Sequence, residues 1–235
     1  MRLDRLLANL GFGTRSQVVE LIKQGHVTIN DEIITRHSIK VTPSTDKVVV
    51  DGEEIYYKDE IILAIYKPIG YLSANVDNMH PVVVDLLQPP YHRHQFKIAG
   101  RLDLDAEGLL ILTTNGHTVH QITNPSQEVS KTYLVTTEES IDETLLNRLL
   151  EPIKILDGNN NPYLAKALEV KLIASNTAEI KLDSGKFHQV KRMFKAIGYE
   201  VINLKRTKIG KYELPNLKPG QYIEINKEDI LWITK

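Results

Sequence analysis

Leu3, Leu6, Leu7 and Leu10 recur at the i, i+3, i+4, i+7 spacing of one helix face, and Gly11 follows where a helix end uses left-handed backbone. A second stripe, Val18, Leu21 and Ile22, is opened by Thr14 and Gln17 at capping-box spacing and closed by Gly25. This predicts a helix from about residue 15 to 24, and with the first one a helical hairpin. The period then shortens. Val27-Thr28-Ile29, the polar pair Asn30-Asp31, Ile33-Ile34, and Lys47-Val48-Val49-Val50 before Asp51-Gly52 read as short strands joined by tight turns.

A charge-rich stretch from Asp51 to Glu60 leads into Ile61-Ile62-Leu63-Ala64-Ile65-Tyr66, which reads as a buried strand. The boundary between two domains is therefore placed near residue 59, giving 1–58 and 59–235. Beyond it, strand-like segments (61–66, 109–113, 132–137, 178–182, 201–204, 222–225) alternate irregularly with helical ones (116–122, 140–150, 187–197). That mixture predicts an α+β domain. No internal repeat or low-complexity tract interrupts it.

Composition narrows the picture without naming a function. Hydrophobic residues make up 42% of the chain and charged residues 25%, ordinary usage for a folded protein. The absence of cysteine excludes disulfides and thiolate metal sites. No apolar run is long enough to span a membrane and the N-terminus mixes charge with apolar residues, so a cytoplasmic protein without membrane anchor is expected. The net charge of -1 gives no global sign of a nucleic-acid partner. Charge is uneven, however: residues 186–211 hold Lys186, Lys191, Arg192, Lys195, Lys205, Arg206, Lys208 and Lys211 against the single acid Glu200. Such a strip is either a solvated face or a surface for a polyanion.

Candidate chemistry concentrates in two segments. In the first, Gly100-Arg101-Leu102-Asp103-Leu104-Asp105-Ala106-Glu107-Gly108 precedes Leu109-Leu110-Ile111-Leu112 and Thr113-Thr114-Asn115-Gly116. Taken alone, three alternating acids could imitate a calcium loop, a glycosidase acid pair or a polar turn. The calcium reading fails at its twelfth position, where Thr114 replaces the bidentate glutamate. A glycosidase pair needs two carboxyls flanking one bond, which spacing does not establish. In the second segment, Ser184-Gly185-Lys186-Phe187-His188-Gln189-Val190-Lys191-Arg192-Met193-Phe194-Lys195-Ala196-Ile197-Gly198, the residues Val190, Met193, Phe194 and Ile197 form a helical stripe. Lys191 and Arg192 lie beside it, and a glycine turn ahead of a helix favours phosphate binding. His92, His94, His117, His120 and His188 suggest zinc, but no motif supplies a third ligand. Neither metal nor cofactor is expected, since no dinucleotide or nucleoside-triphosphate loop is present.

Gly-Arg-Leu-Asp running into Glu-Gly-Leu-Leu and Thr-Asn-Gly, followed by Lys131-Thr132-Tyr133 and then His-Gln-Val-Lys-Arg-Met-Phe, resembles bacterial pseudouridine synthases that modify ribosomal RNA. Lys67-Pro68-Ile69-Gly70 also resembles that family and reads as a structural turn. Arg2-Leu3-Asp4, Ser16 and Gly25-His26-Val27-Thr28-Ile29-Asn30 are similar to the S4 RNA-binding module. Asp31 stands where that module has glycine, which predicts a looser turn.

The resemblance implies an S4-like helical hairpin plus sheet over 1–58, followed by a mixed, mostly antiparallel-sheet catalytic domain. It implies Asp103 as nucleophile, Lys191 paired with it (Arg192 as the fallback), and Tyr133 against the target uracil, with Asp105 and Glu107 structural. Ala106 replaces the family's threonine, so the loop's hydrogen bonding should differ while activity survives. RNA contacts are expected from Arg2, Arg5, Arg15, Ser16 and Lys23 in the first domain, and from Arg101, Lys186, His188, Gln189, Arg192, Lys195 and Arg206 in the second. Pro81-Val82-Val83-Val84-Asp85-Leu86-Leu87 and His188 to Arg192 look more like the 16S-directed group than the 23S-directed relatives. The expected partner is 16S ribosomal RNA or a small-subunit assembly intermediate, acted on by a monomer. The alternatives are a 23S-directed synthase and a non-catalytic RNA-binding or ribosome-assembly protein.

Overall fold

The computed structural model describes residues 1–42 and 45–234. The chain divides into two units, Met1–Ile61 with Leu87–Phe96 and Ile62–Leu86 with Lys97–Lys235. Residues 87–96, which sequence reading left inside the second domain, thus pack with the first. Arg93 fixes them there: its Nε and Nη2 donate to Glu53 at 3.2 and 3.0 Å, and its guanidinium lies 4.5 Å from the centre of the Phe12 ring. Among the described residues no helix is long and apolar enough to cross a membrane.

In the first unit α1 (Leu3–Asn9) and α2 (Arg15–Lys23) pack on a four-stranded antiparallel sheet of β1 (Val27–Ile29), β2 (Glu32–Ile34), β3 (Val48–Val50) and β4 (Glu53–Glu54), in the order β2-β1-β3-β4. Both leucine stripes face inward: Leu3, Leu6, Leu7, Val18 and Ile22 are fully buried against Val27, Val48 and Val50. The capping box forms, with Thr14 Oγ1 accepting from the Gln17 amide at 3.4 Å and Gln17 Oε1 from the Thr14 amide at 2.8 Å. The turn between β1 and β2 corrects the expectation of looseness. It is a two-residue turn with Asn30 and Asp31 both left-handed, at φ 51° and 68°. Asn30 supports that conformation by accepting the Lys47 amide on its side chain at 2.9 Å and donating its own amide to the Lys47 carbonyl at 2.9 Å.

The second unit is built on a nine-stranded sheet. Its strands are β5 (Ile62–Lys67), β6 (Lys97–Ala99), β7 (Glu107–Thr113), β8 (Lys131–Thr137), β11 (Glu169–Ala174), β12 (Thr177–Leu182), β13 (Val201–Ile209), β14 (Tyr212–Glu213) and β15 (Tyr222–Ile225). The order is β11-β12-β8-β13-β7-β5-β15, with β14 on β13 and β6 on β7. Every pairing is antiparallel except β13 with β7, so the sheet is mixed and mostly antiparallel, and the class is α+β. A separate hairpin pairs β9 (Ile153–Leu156) with β10 (Pro162–Ala165). Among the described residues four helices pack on these strands: α3 (Gly116–Thr123), the short α4 (Glu143–Asn147), α5 (Gln189–Ala196) and α6 (Lys227–Thr234). The helix expected over 140–150 starts only at Glu143, where Asp142 Oδ1 caps the Thr144 amide at 2.7 Å, and tightens to a 3-10 turn over Arg148–Leu150.

Two apolar clusters hold this unit. One joins the α5 stripe, Val190, Met193, Phe194 and Ile197, to Tyr133, Val135, Ile180 and Leu204. The other joins Ile122, Ile230 and Ile233 to Ile62, Ala64, Leu109 and Ile111. At the parallel seam Gly108 pairs with Arg206 at φ 107°, and a Cβ there would sit 2.3 Å from the Arg206 carbonyl oxygen. Only glycine allows these strands to approach, which accounts for the Glu-Gly step that opens β7.

Candidate active site

The segment from Gly100 to Ala106 is a loop between β6 and β7, and much of its backbone is tied down by hydrogen bonds. Gly100 makes the turn off β6 with φ 85°. Ser73, itself buried, brackets Leu102: its Oγ accepts the Leu102 amide at 3.0 Å and donates to the Leu102 carbonyl at 2.8 Å. The Gly70 amide donates to the Leu104 carbonyl at 2.8 Å, which shows what the Lys67-Pro68-Ile69-Gly70 turn contributes. Two buried cations complete the frame. Arg206 donates to the carbonyls of Leu109, Gly100 and Arg101 at 2.8, 2.9 and 3.3 Å, and Lys67 Nζ donates to those of Ala106 and Pro68 at 2.6 and 3.0 Å. Burial pushes the Lys67 ammonium down to about 8 against the pull of Asp103.

Held this way, Asp103 enters a cleft of about 580 Å³ whose lining includes Arg101, Lys131, Tyr133, His188 and Leu204. The Asp103 side chain keeps 27% of its surface exposed, whereas Tyr133 is 7% exposed, its body in the apolar cluster under the cleft. Lys131 and Tyr133 share one face of β8 because they are two residues apart. Lys131 Nζ donates to the Val129 carbonyl at 2.6 Å, and burial, assisted by the Arg206 charge, pushes its ammonium down to about 8. The cleft thus combines one reachable carboxylate, the rings of Tyr133 and Phe187, and cations on a wall of mixed polar and apolar side chains.

The far wall is the lead-in to α5. Gln189 closes it by accepting the Lys186 amide on Oε1 at 2.9 Å and donating from Nε2 to Ser184 Oγ at 2.9 Å. His188 is left-handed at φ 51°, its imidazole stacked on the Phe187 ring at 3.7 Å with 18° between the planes. Its Nε2 lies 3.6 Å from Asp103 Oδ2. The expected pairing of Lys191 with Asp103 is not formed. Lys191 Nζ meets Asp105 Oδ2 at 2.5 Å instead, because one turn into α5 its ammonium reaches the outer limb of the loop. Burial works against the Asp105 carboxylate, but the Lys191 hydrogen bond and charge outweigh it and hold its pKa below the ordinary value. Glu107 accepts from the Tyr66 hydroxyl at 2.9 Å and from Asn203 Nδ2 at 3.3 Å, a role within the sheet; burial and that carboxylate push the Tyr66 phenol up to about 12.

The other residues singled out in the sequence separate into three groups. Arg206 and Gln189 are buried and spend their hydrogen bonds on the protein, so their side chains frame the site rather than form a phosphate-facing surface. Arg101, Lys186 and Lys195 are exposed; Lys186 caps the Tyr163 ring at 3.7 Å, while Arg192 lies 5.3 Å from the centre of the Phe187 ring and donates to the Leu156 carbonyl. In the first unit, Arg5 and Arg15 line one concavity with Ala8 and Asn9, Ser16 and Lys23 are exposed on α2, and Arg2 is held by Asp4 through two hydrogen bonds of 2.6 and 3.0 Å. Ala106 is fully buried in the apolar cluster, a place that suits its methyl group. Among the described residues no three His, Asp or Glu side chains gather as a metal-binding set. Sequence reasoning passed over Ser73 altogether, and noted Lys67 and Lys131 only as members of motifs, without a role for either side chain. Lys67 had a signal, a cation closing a strand otherwise buried along its whole length.

Comparison with known proteins agrees with this architecture. The family model for RNA pseudouridylate synthase matches residues 61–196, and the S4 domain model matches residues 1–48. An uncharacterised RNA pseudouridine synthase of Bacillus subtilis (strain 168) is 41% identical, over 98% of this chain and 97% of its own. A ribosomal small subunit pseudouridine synthase A of Pasteurella multocida (strain Pm70) is 34% identical over the whole of both chains. A ribosomal large subunit pseudouridine synthase B of Bacillus subtilis (strain 168) is 33% identical over 97% of this chain and 93% of its own. A solved pseudouridylate synthase superposes with a TM-score of 0.67 at 31% identity, covering 99% of each chain. The two family models and the full-length relatives together define the class, an RNA-modifying isomerase with an S4 domain ahead of a mixed sheet. More particularly, the chain belongs to the RNA pseudouridylate synthase family and is an RNA pseudouridine synthase.

Proposed function

We propose that this enzyme converts one uridine of 16S ribosomal RNA to pseudouridine with Asp103 as the nucleophile. The observation that carries the assignment is the position of Asp103: a carboxylate partly open to a cleft, on a loop whose neighbouring backbone is clamped by Ser73, Lys67 and Arg206. A nucleophile needs that combination of access and fixed geometry. The target uridine is extruded from its RNA so that the uracil enters the cleft against the Tyr133 ring, while basic groups around the mouth, Arg101 and Lys186 among them, hold the flanking phosphates.

Asp103 then attacks C1′ of the ribose or otherwise promotes cleavage of the N-glycosidic bond. In the covalent route the carboxylate oxygen bonds to C1′ as the C1′–N1 bond breaks and its electron pair stays on the uracil. The freed uracil rotates, C5 bonds to C1′ as the carboxylate leaves, C5 gives up its proton and N1 takes one. Atoms and electrons balance without an energy donor. Lys191 contributes by anchoring the loop through Asp105. Residues 1–58 act as the RNA-binding module, with Arg5 and Arg15 presenting cations from one concavity, and 59–235 as the catalytic domain. The protein works as a cytoplasmic monomer on 16S RNA or a small-subunit assembly intermediate.

A 23S target is the second reading, favoured by the large-subunit relative, whose identity of 33% nearly equals the 34% of the small-subunit one. Replacing Asp103 by Asn removes the nucleophile at constant size, so pseudouridine formation is expected to vanish while RNA affinity, measured by filter binding, stays near that of the wild type. A variant that still forms product contradicts the assignment.

A further inference from the structure

The cation that sequence pattern offers to Asp103 is Lys191, but its ammonium is already committed to Asp105 at 2.5 Å. The side chain that faces the Asp103 carboxylate is His188. We propose that His188 is a positioning residue for Asp103: its imidazole faces the carboxylate and keeps it aimed into the cleft, while Lys191 and Asp105 form a separate pair that ties the loop to α5. The inference rests on the reading of Asp103 as the nucleophile.

Three features of the structure converge on this role. His188 occupies the N-cap of α5 in left-handed backbone, φ 51° and ψ 28°, a conformation that residues other than glycine adopt sparingly. Its side chain does not cap the helix; it is directed instead to Asp103. Second, the ring plane is fixed. Phe187 stacks on it at 3.7 Å and 18°, and Arg192 lies 5.3 Å from the centre of the Phe187 ring, so that the imidazole keeps an edge nitrogen toward the carboxylate. Third, among the described residues the imidazole makes no hydrogen bond that would hold it elsewhere, and its remaining electrostatic partner is Asp105 in the same loop.

At 3.6 Å the His188–Asp103 contact is longer than a hydrogen bond. Such contacts tighten when substrate fills a site, and a shift of less than 1 Å is sufficient here. A histidine that served the RNA directly would alter binding; one that aims the nucleophile alters turnover. The two roles are therefore separable by kinetics.

The test compares His188→Leu, which removes the nitrogen, with His188→Gln, which retains a donor at similar reach, using ribosomal RNA extracted from cells that lack this enzyme. The expected result is a fall in kcat of about tenfold to 100-fold for His188→Leu with KM unchanged, as misaimed reactive groups produce, and substantial recovery in His188→Gln. A change confined to KM makes His188 an RNA contact and overturns the inference. So do wild-type rates in both variants, or equal losses in both accompanied by lower melting temperatures. An active Asp103→Asn enzyme overturns the nucleophile assignment beneath it, an outcome distinct from any of these.

Discussion

A lysine at the end of a fully buried strand is the residue whose behaviour most directly reports how the site is built. Lys67 closes β5, donates to the carbonyls of Ala106 and Pro68, and has its pKa pushed down from 10.5 to about 8 by burial. In the folded protein it therefore gives up its proton sooner than it does unfolded. Between pH 8 and 10.5 the unfolded chain binds that proton and the folded chain does not, so stability rises with pH through this window; below pH 8 the cost of burying the charge stays in full. Lys131 adds a second contribution of the same sign. Urea midpoints measured upward from pH 8, and below the ordinary tyrosine pKa of 10.0, are expected to climb in the wild type and to climb less in Lys67→Met. Identical slopes would mean that Lys67 is not the buried cation of this loop. The two acids of the segment have equally local explanations: Glu107 belongs to Tyr66 and Asn203, Asp105 to Lys191, and of the three carboxylates Asp103 is left to the cleft.

Among the elements, the seam between β7 and β13 supports both the sheet and the loop. It brings Arg206 under Gly100 and Arg101, and it depends on a glycine whose replacement would place a Cβ 2.3 Å from a backbone oxygen. Gly108→Ala combines left-handed strain with overpacking and is expected to destabilise the fold by about 3 kcal/mol or more, read as a fall in the urea midpoint; a midpoint equal to wild type would show that the strands can part without cost. The seam also marks where the sequence was and was not legible. The helical hairpin could be read because Thr14, Gln17 and the leucine stripes are local signals, and the α5 stripe for the same reason. β13 was foreseen only to Leu204, because Lys205-Arg206-Thr207-Lys208 reads as a polar surface; the structure buries Arg206 and satisfies it with carbonyls from residues about 100 positions away. β9 and β10 were missed because Leu156 and Leu164 face solvent, which removes the alternation that marks a half-buried strand. In the site, Asp103, Tyr133 and Lys67 stood in recognisable motifs, whereas the part played by Ser73, the bond of Lys67 to the Ala106 carbonyl and the contact of His188 with Asp103 arise from the tertiary fold.

At the scale of the whole molecule, a net charge of -1 must still produce binding to a polyanion, which requires cations segregated on the RNA-facing surfaces. The structure trims the basic strip of residues 186–211 to fewer available charges than its sequence suggests. Arg206 is buried, Lys191 is paired with Asp105, Lys208 is paired with Glu213 at 2.6 Å, and Lys205 lies 4.6 Å from the centre of the Tyr66 ring. Lys195 and Lys211 remain exposed, and if each neutralises one phosphate, replacing both by Ala should make the slope of log affinity against log salt shallower by roughly 1.5. An unchanged slope would place the RNA elsewhere on the protein. The assignment of Asp103 as nucleophile is tested most directly by a pseudouridine map of 16S and 23S ribosomal RNA from cells with and without this enzyme. It predicts the loss of one 16S pseudouridine on deletion, restored by the wild type and not by Asp103→Asn. Restoration by the Asp103→Asn variant, or maps that do not change on deletion, would contradict it.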